Sequence, residues 1–285
     1  SPENLRLGNA IKIFLKPDRI IIGHRESYNK NKLTRLFQSI SKNLEWMSIE
    51  SAEMTKHAIN SFLANSVVFI NELSTICEPL GADARAVERG LKSDYRIGEK
   101  AYLSPGSSFS GGTLARDLNY LKEISRSYKL NIPLIDSLLI SNDLHKNWII
   151  NKIESLFPEL SRKTFLIWGL TYKPQTSSIK RSFSIELCQW LINKKAKVIA
   201  HDPKAEALPT KMRNSIVRSH DPIKPLAGAD VLIIATPWDE YKKISYSFII
   251  KKNPKLKVID QNGLLRRNND ITNKDYFSVG YQSNK

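Results

Sequence analysis

The chain has 285 residues, 41% hydrophobic and 25% charged, enough for two or three domains with cores of their own and too evenly mixed for disorder to be the default. No apolar stretch reaches the roughly 18 to 20 residues of a membrane helix, and the opening SPENLRLGNA lacks the layout of a signal peptide, so the expectation is a cytoplasmic protein with no membrane partner. The net charge of +16 favours anionic ligands, but the cations lie in short runs (30–32, 194–197, 242–243, 251–257) without a zinc-finger, basic-zipper or aromatic RNA-binding signature, which argues for solvated faces and against a nucleic-acid partner.

The chain opens at Ser1 with no initiator Met and no obvious first strand, which reads as a cut chain or a start inside a larger architecture. DRIIIG (18–23) reads as a short β-branched strand ending at Gly23, 29–39 as a polar helix and LEWMSI (44–49) as a second strand. Residues 51–83 form the first strong helical pattern, apolar at Ala58, Phe62, Val67 or Val68, Ile70 and Leu73. Ser51 is its expected N-cap, Gly81 its stop and Pro79 a bend near its end. A second helix is expected from Ala84, capped by Asp83. Residues 98–112 are rich in Gly and Ser and form a loop, and helix resumes from Leu114 to Tyr128. An amphipathic run from Pro133 to Phe157, about 25 residues, suggests one long spine that links two domains or forms a dimer seam, with an ordinary core helix as the alternative.

The pattern changes at Lys163. TFLIWG (164–169), KVIAHD (197–202), VLIIAT (231–236) and LKVID (256–260) read as buried strands, with an amphipathic helix at 184–194. Strands alternating with helices predict an α/β, doubly wound parallel sheet, whose ligands bind at the carboxyl ends of the strands. Residues 169–176, 201–203, 236–239 and 260–263 would then surround one crevice. Cys77 and Cys188 sit far apart in apolar contexts and read as buried free thiols, with no His cluster beside them to make a metal site.

Three groups of residues invite chemistry. The turn GLTYKPQTSSIKRS lacks the G-x-G-x-x-G fingerprint but offers hydroxyls, Lys173, Lys180 and Arg181 at a helix entrance, where backbone N–H groups favour an anion; a polar loop with a Ser cap is the alternative. Lys56 and Asn60, four apart, share one helix face and can polarise an oxygen, or form a solvated stripe. Asp117 is either a helix-start carboxylate or a catalytic one.

Taken in order, SPENLRLGNAIKIFLKPDRIIIG, SAEMTKHAINSFLANSVVFINELSTICEPLGAD, DYRIG with the glycine loop and Asp117, WGLTYKPQTSSIKRS, ADVLIIATPWDEY and YFSVG resemble segments of the UDP-glucose/GDP-mannose dehydrogenase family across nearly the whole chain. The resemblance implies a remnant of an N-terminal NAD-binding domain (1–50), a helical central dimerisation domain (51–158) and a C-terminal Rossmann-like UDP-sugar-binding domain (159–285). It implies a homodimer, a UDP-linked nucleotide sugar as ligand, and NAD as cofactor only of a longer parent, whose G-x-G-x-x-G domain would precede Ser1. This chain alone would not turn over.

Residue by residue, the resemblance makes Glu3 the family's active-site Glu, with its second Glu replaced by Leu7. Lys56 and Asn60 become the oxyanion stabilisers, and Asp117 the carboxylate that positions water. Arg96 would reach the sugar nucleotide of a partner subunit. Phe109, Gly111 and Gly112 would line the sugar loop, with Lys173 and Lys180 at the nucleotide. The family's G-G-S-C-x-P-K-D is GGTLARD here, so its nucleophilic Cys falls on Thr113 or Leu114. Thr is far less acidic than Cys and Leu is inert, so the implied activity, oxidation of a nucleotide-sugar C6 hydroxyl, would not run to the carboxylate by the thiolate route. A non-catalytic nucleotide-sugar-binding or dimerisation protein is the alternative.

Overall fold

The computed structural model describes residues 1–2, 10–25, 30–110, 112–205, 207–266 and 271–281. Near the N-terminus, α1 (Ala10–Leu15) precedes a small parallel unit of β1 (Ile20–Gly23), α2 (Lys30–Phe37) and β2 (Leu44–Met47), with Ile20 registered on Leu44. β1 packs on the next helix through Gly23, where any Cβ would stand 2.8 Å from the Ile49 Cα.

That helix, α3 (Ile49–Leu80), is the axis of the central region. Its N-cap is Ser48 rather than Ser51: the Ser48 Oγ accepts from the Ser51 N–H, because β2 ends at Met47 and leaves Ser48 in the extended conformation a cap requires. Pro79 sits inside the last turn, and Gly81 closes the helix in the left-handed conformation with φ 69°. The expected apolar face is also corrected. Ala58 and Phe62 are exposed, while Asn60, Ser61, Ser66, Asn71 and Ser74 are buried among Ala52, Ala64, Val68 and Ile70. Small residues permit close approach of neighbouring helices, Asn71 serves a loop described below, and Asn60 reaches a carboxylate on a neighbouring helix.

α4 (Ala84–Ser93) starts under an Asp83 cap, with the Arg85 N–H donated to Asp83. α5 (Thr113–Ser127) and α6 (Pro133–Lys146) pack on α3 around Ala64, Val68, Leu118 and Leu138. The expected 25-residue spine is two helices, α6 and α7 (Trp148–Leu156). At Asn147 the N–H turns to the Leu144 carbonyl (3.2 Å) and the Asn147 carbonyl starts a new helix at Asn151 (2.8 Å). The break lets α6 keep Leu138 on the central region while α7 lays Ile149 and Ile153 into the sheet core.

The sheet is parallel throughout, in the order β5-β4-β3-β6-β7-β8 (β3 Thr164–Trp168, β4 Lys197–His201, β5 Ile216–Arg218, β6 Val231–Ile234, β7 Lys257–Asp260, β8 Tyr276–Phe277). Counted within the sheet this is 3-2-1-4-5-6, the doubly wound order, with its switch point between β3 and β6. α8 (Phe183–Asn193) and α9 (Tyr246–Lys252) cover opposite faces. One core joins Phe165, Ile167, Leu187 and Ile233; the other joins Leu166, Trp168, Leu232 and Val258. The short strands β5 and β8 lie at the edges, where a strand of two or three residues leaves no periodicity for sequence reasoning to find.

Central region and sheet are tied by side chains that reach across their joint, among them Glu78, Arg266 and Arg85. Glu78 accepts from the Trp148 Nε1 (2.7 Å) and the Gly280 N–H (3.0 Å). Arg266 donates two bonds to Asp83 (3.2 and 2.9 Å), and Arg85 donates to the Asn262 carbonyl.

Candidate functional site

The joint between these regions is where the sequence-predicted residues gather. The loop before α5 runs over the joint and is held by four amide and imidazole side chains from three directions. From α3, Asn71 accepts the Gly106 N–H (3.1 Å) and donates to the Ser107 carbonyl (3.4 Å). From α6, Asn142 pairs with both backbone groups of Phe109 (2.9 and 3.1 Å), and His145 Nε2 meets the Gly106 carbonyl at 2.8 Å. From the end of β7, Asn262 Oδ1 accepts the Ser107 N–H (3.0 Å) and hydroxyl (3.2 Å). A loop with this many buried peptide groups needs such partners, since each one left unpaired costs about 1–3 kcal/mol. Burial lowers the His145 pKa below the ordinary histidine value, so the ring is neutral where it holds the loop.

The loop ends against the turn 170–182. Ser110 donates its hydroxyl to the Tyr172 carbonyl (3.2 Å), and a Cβ on Gly112 would stand 2.7 Å from the Arg181 guanidinium. Glycine at 112 thus leaves room for Arg181, whose own backbone is left-handed at φ 58°. Lys173 lies half-buried in the same turn, and burial lowers its pKa. Lys180 is exposed, with its backbone N–H on the Ser178 Oγ (3.3 Å). Ser182, the residue before α8, is buried and its Oγ has no partner.

The turn departs from expectation in one respect. The amides of Leu170 and Thr171 do not wait for an anion: the Asp202 carboxylate fills them at 2.6 and 3.0 Å, and also accepts from the Thr171 hydroxyl (3.2 Å) and Trp238 Nε1 (3.1 Å). Around it Thr236 Oγ1 bonds the Thr171 carbonyl (2.6 Å), and Gly169, at φ 96°, passes too close to Thr236 for any side chain. Of the four strand ends expected around one crevice, three meet and are knitted shut. At the fourth, the buried Asp260 accepts from Leu264 and Leu265 N–H (2.8 and 2.7 Å) and from the Tyr276 hydroxyl (2.8 Å). Open cationic chemistry therefore lies further along, at 173–182.

Asn60 and Asp117 are brought together: Asn60 Nδ2 donates to Asp117 Oδ2, with Asp117 only 2% exposed on α5 and Lys56 one turn before Asn60. Arg116 Nε donates to Asp117 Oδ1 (3.2 Å), and His57 Nδ1 stands 3.7 Å from the same oxygen. Thr113 is exposed at the first turn of α5, and Leu114 packs beside the Ala64–Leu118 cluster. Phe109 packs against that cluster too, half-buried. Arg96 stays apart, exposed and paired with Asp94 (3.0 and 2.6 Å), which raises its pKa. Glu3, Leu7 and Gly111 lie outside the described residues. Both thiols are buried away from this cluster. Burial raises the Cys77 pKa and pushes Cys188 up to about 12. Among the described residues no group of His, Cys, Asp and Glu could hold a metal ion, and no helix is long and apolar enough to cross a membrane.

Sequence reasoning missed His57, Arg116 and the loop-holding amides. Asn71 left a signal: it lies eleven residues, three turns, after Asn60 and so on the same face of α3.

This geometry has parallels. Residues 50–144 match the central domain of the UDP-glucose/GDP-mannose dehydrogenase family, and residues 166–267 match the family's UDP binding domain. A UDP-glucose 6-dehydrogenase of Rickettsia bellii is 30% identical over 98% of this chain and 66% of its own length, and one from Bacillus subtilis is 32% identical over 85% of the chain and 55% of its own. The structure of a UDP-glucose dehydrogenase from Pyrobaculum islandicum superimposes with a TM-score of 0.85 at 28% identity, over 98% of this chain and 62% of that one. The chain thus spans no more than 66% of the length of these relatives. Its helical central region, its six-stranded parallel sheet and the sequence matches across both place it in the UDP-glucose/GDP-mannose dehydrogenase family.

Proposed function

We propose that this chain is the nucleotide-sugar-binding core of a 6-dehydrogenase-like oxidoreductase, with a UDP-linked sugar seated where the loop before α5 meets the turn 173–182. The observation that carries this reading is the junction itself: Gly112 packs against Arg181, so the loop leading to Asp117 and the cationic turn form one surface. Lys173, Lys180 and Arg181 supply charge for a diphosphate, and the enclosed Ser182 hydroxyl is free to join them. Lys56, Asn60 and Asp117 lie on the helices beneath the loop, where an oxygen of the sugar would be polarised.

The family uses NAD. This sheet is a poor place for it, because Asp202 already occupies the amides that a dinucleotide pyrophosphate takes at a switch point. The β1–α2–β2 unit is read as part of a separate NAD-binding domain, with the central and sheet regions dividing near residue 158. We also infer a homodimer in which Arg96 contributes to its partner's site.

Hydrogen exchange in the presence of UDP-glucose tests the seat. Exchange should slow together in residues 98–112 and 170–182. Slowing in neither segment, with UDP-glucose bound, would place the ligand elsewhere.

A further inference from the structure

His57 has no role in the reading above, yet it sits inside the Lys56–Asn60–Asp117 group. Its ring lies against Tyr120 with centroids 4.4 Å apart and planes tilted by 31°. Nδ1 is enclosed without a hydrogen-bond partner and faces Asp117 Oδ1 at 3.7 Å, while 23% of the side chain stays accessible. Asp117 is 2% exposed and already accepts from Asn60 and Arg116. A carboxylate so enclosed is badly placed to take a proton from a ligand itself. Its imidazole neighbour has an accessible edge, and catalytic contacts that are long without ligand commonly tighten when the site fills.

We propose that Asp117 positions His57 as a proton acceptor. The carboxylate holds the proton on Nδ1 and leaves the Nε2 lone pair to take one from a hydroxyl in the site. In that step the O–H bond of a sugar hydroxyl or water breaks, its proton moves to Nε2 and its electron pair stays on oxygen. The imidazolium keeps its Nδ1–H on Asp117. The identity of the hydroxyl rests on the sugar-nucleotide reading above; the Asp117–His57 pair does not.

The test is the tautomer of His57 in the 285-residue chain, read from nitrogen-15 histidine spectra at a pH where the ring is neutral. Its signal among the five histidines is assigned with His57→Gln. The expected result is a predominantly Nδ1–H ring that reverts to the Nε2–H form of free imidazole in Asp117→Ala, with the other four signals in place. A predominantly Nε2–H ring in the unaltered chain overturns the proposal, whether or not the variant folds. Adding UDP-glucose should then move the Nε2 resonance. Binding that leaves it unmoved overturns the proton-accepting role, whereas absence of binding counts against the sugar-nucleotide reading and leaves the tautomer to decide the pair.

Discussion

Asp117 illustrates what one residue owes to its surroundings. Alone it is a charged group near a helix start; between Asn60, Arg116 and His57 it becomes a fixed buried acceptor. Spacing put Lys56 and Asn60 on one face, and the resemblance gave that face a purpose. His57 was not legible, because a lone histidine on a helix carries no pattern and its meaning depends on a helix 60 residues away in the chain. The amides after β3 were open to an anion in the sequence because their partner, Asp202, comes from the neighbouring strand some 30 residues on. The thiols give the sharpest residue-scale consequence. With Cys77 and Cys188 buried away from Asp117, no thiolate among the described residues serves the proposed site. A chimaera with the N-terminal third of a UDP-glucose 6-dehydrogenase placed ahead of Ser1, given NAD and UDP-glucose, should accumulate no UDP-glucuronate by mass spectrometry. Accumulation would show that another route to the acid exists.

At the scale of elements, the loop before α5 depends on helices that present polar side chains inward. Asn71, Asn142 and His145 take buried places that binary patterning assigns to apolar residues, so the expected apolar face of α3 holds at Val68 and Ile70 and fails at Ala58 and Phe62. The Pro133–Phe157 run was read as one helix because both halves are amphipathic, and a turn closed by Asn147 leaves no Gly or Pro to mark it. The loop also acquires a pH dependence. Burial depresses the folded pKa of His145, so the unfolded chain binds its proton more readily. The stabilisation is therefore full above the unfolded value of about 6.5 and is lost as pH falls through the lower folded value. The protection factors of residues 103–109, exchange rates divided into the intrinsic rate at each pH, should fall between pH 7 and 5 in the native chain, and this fall should be absent in His145→Gln, whose neutral amide does not titrate over that range. An equal fall in both would remove His145 as the cause.

Over the whole molecule, the parallel sheet was legible because four buried strands alternate with helices. The edge strands and the exact seam were not, since they rest on side chains such as Glu78, Asp83 and Arg266 reaching across the joint. The exposed apolar residues follow a seven-residue spacing on α3, Phe62, Phe69 and Ile76, accompanied by Leu134, Ile140 and Leu144 on α6. Such a stripe fits helix-to-helix pairing of two copies. Sedimentation should find a dimer that Phe62→Glu with Phe69→Glu converts to a folded monomer; a monomeric unaltered chain at micromolar concentration would contradict the homodimer. The central claim is narrower and reaches calorimetry directly. UDP-glucose titrated into the 285-residue chain should give saturable one-site binding per subunit, weakened about tenfold or more, about 1.4 kcal/mol, by Lys173→Ala with Arg181→Ala. A chain that stays folded yet binds neither UDP-glucose nor GDP-mannose, or binds UDP-glucose equally well without those two cations, would contradict it.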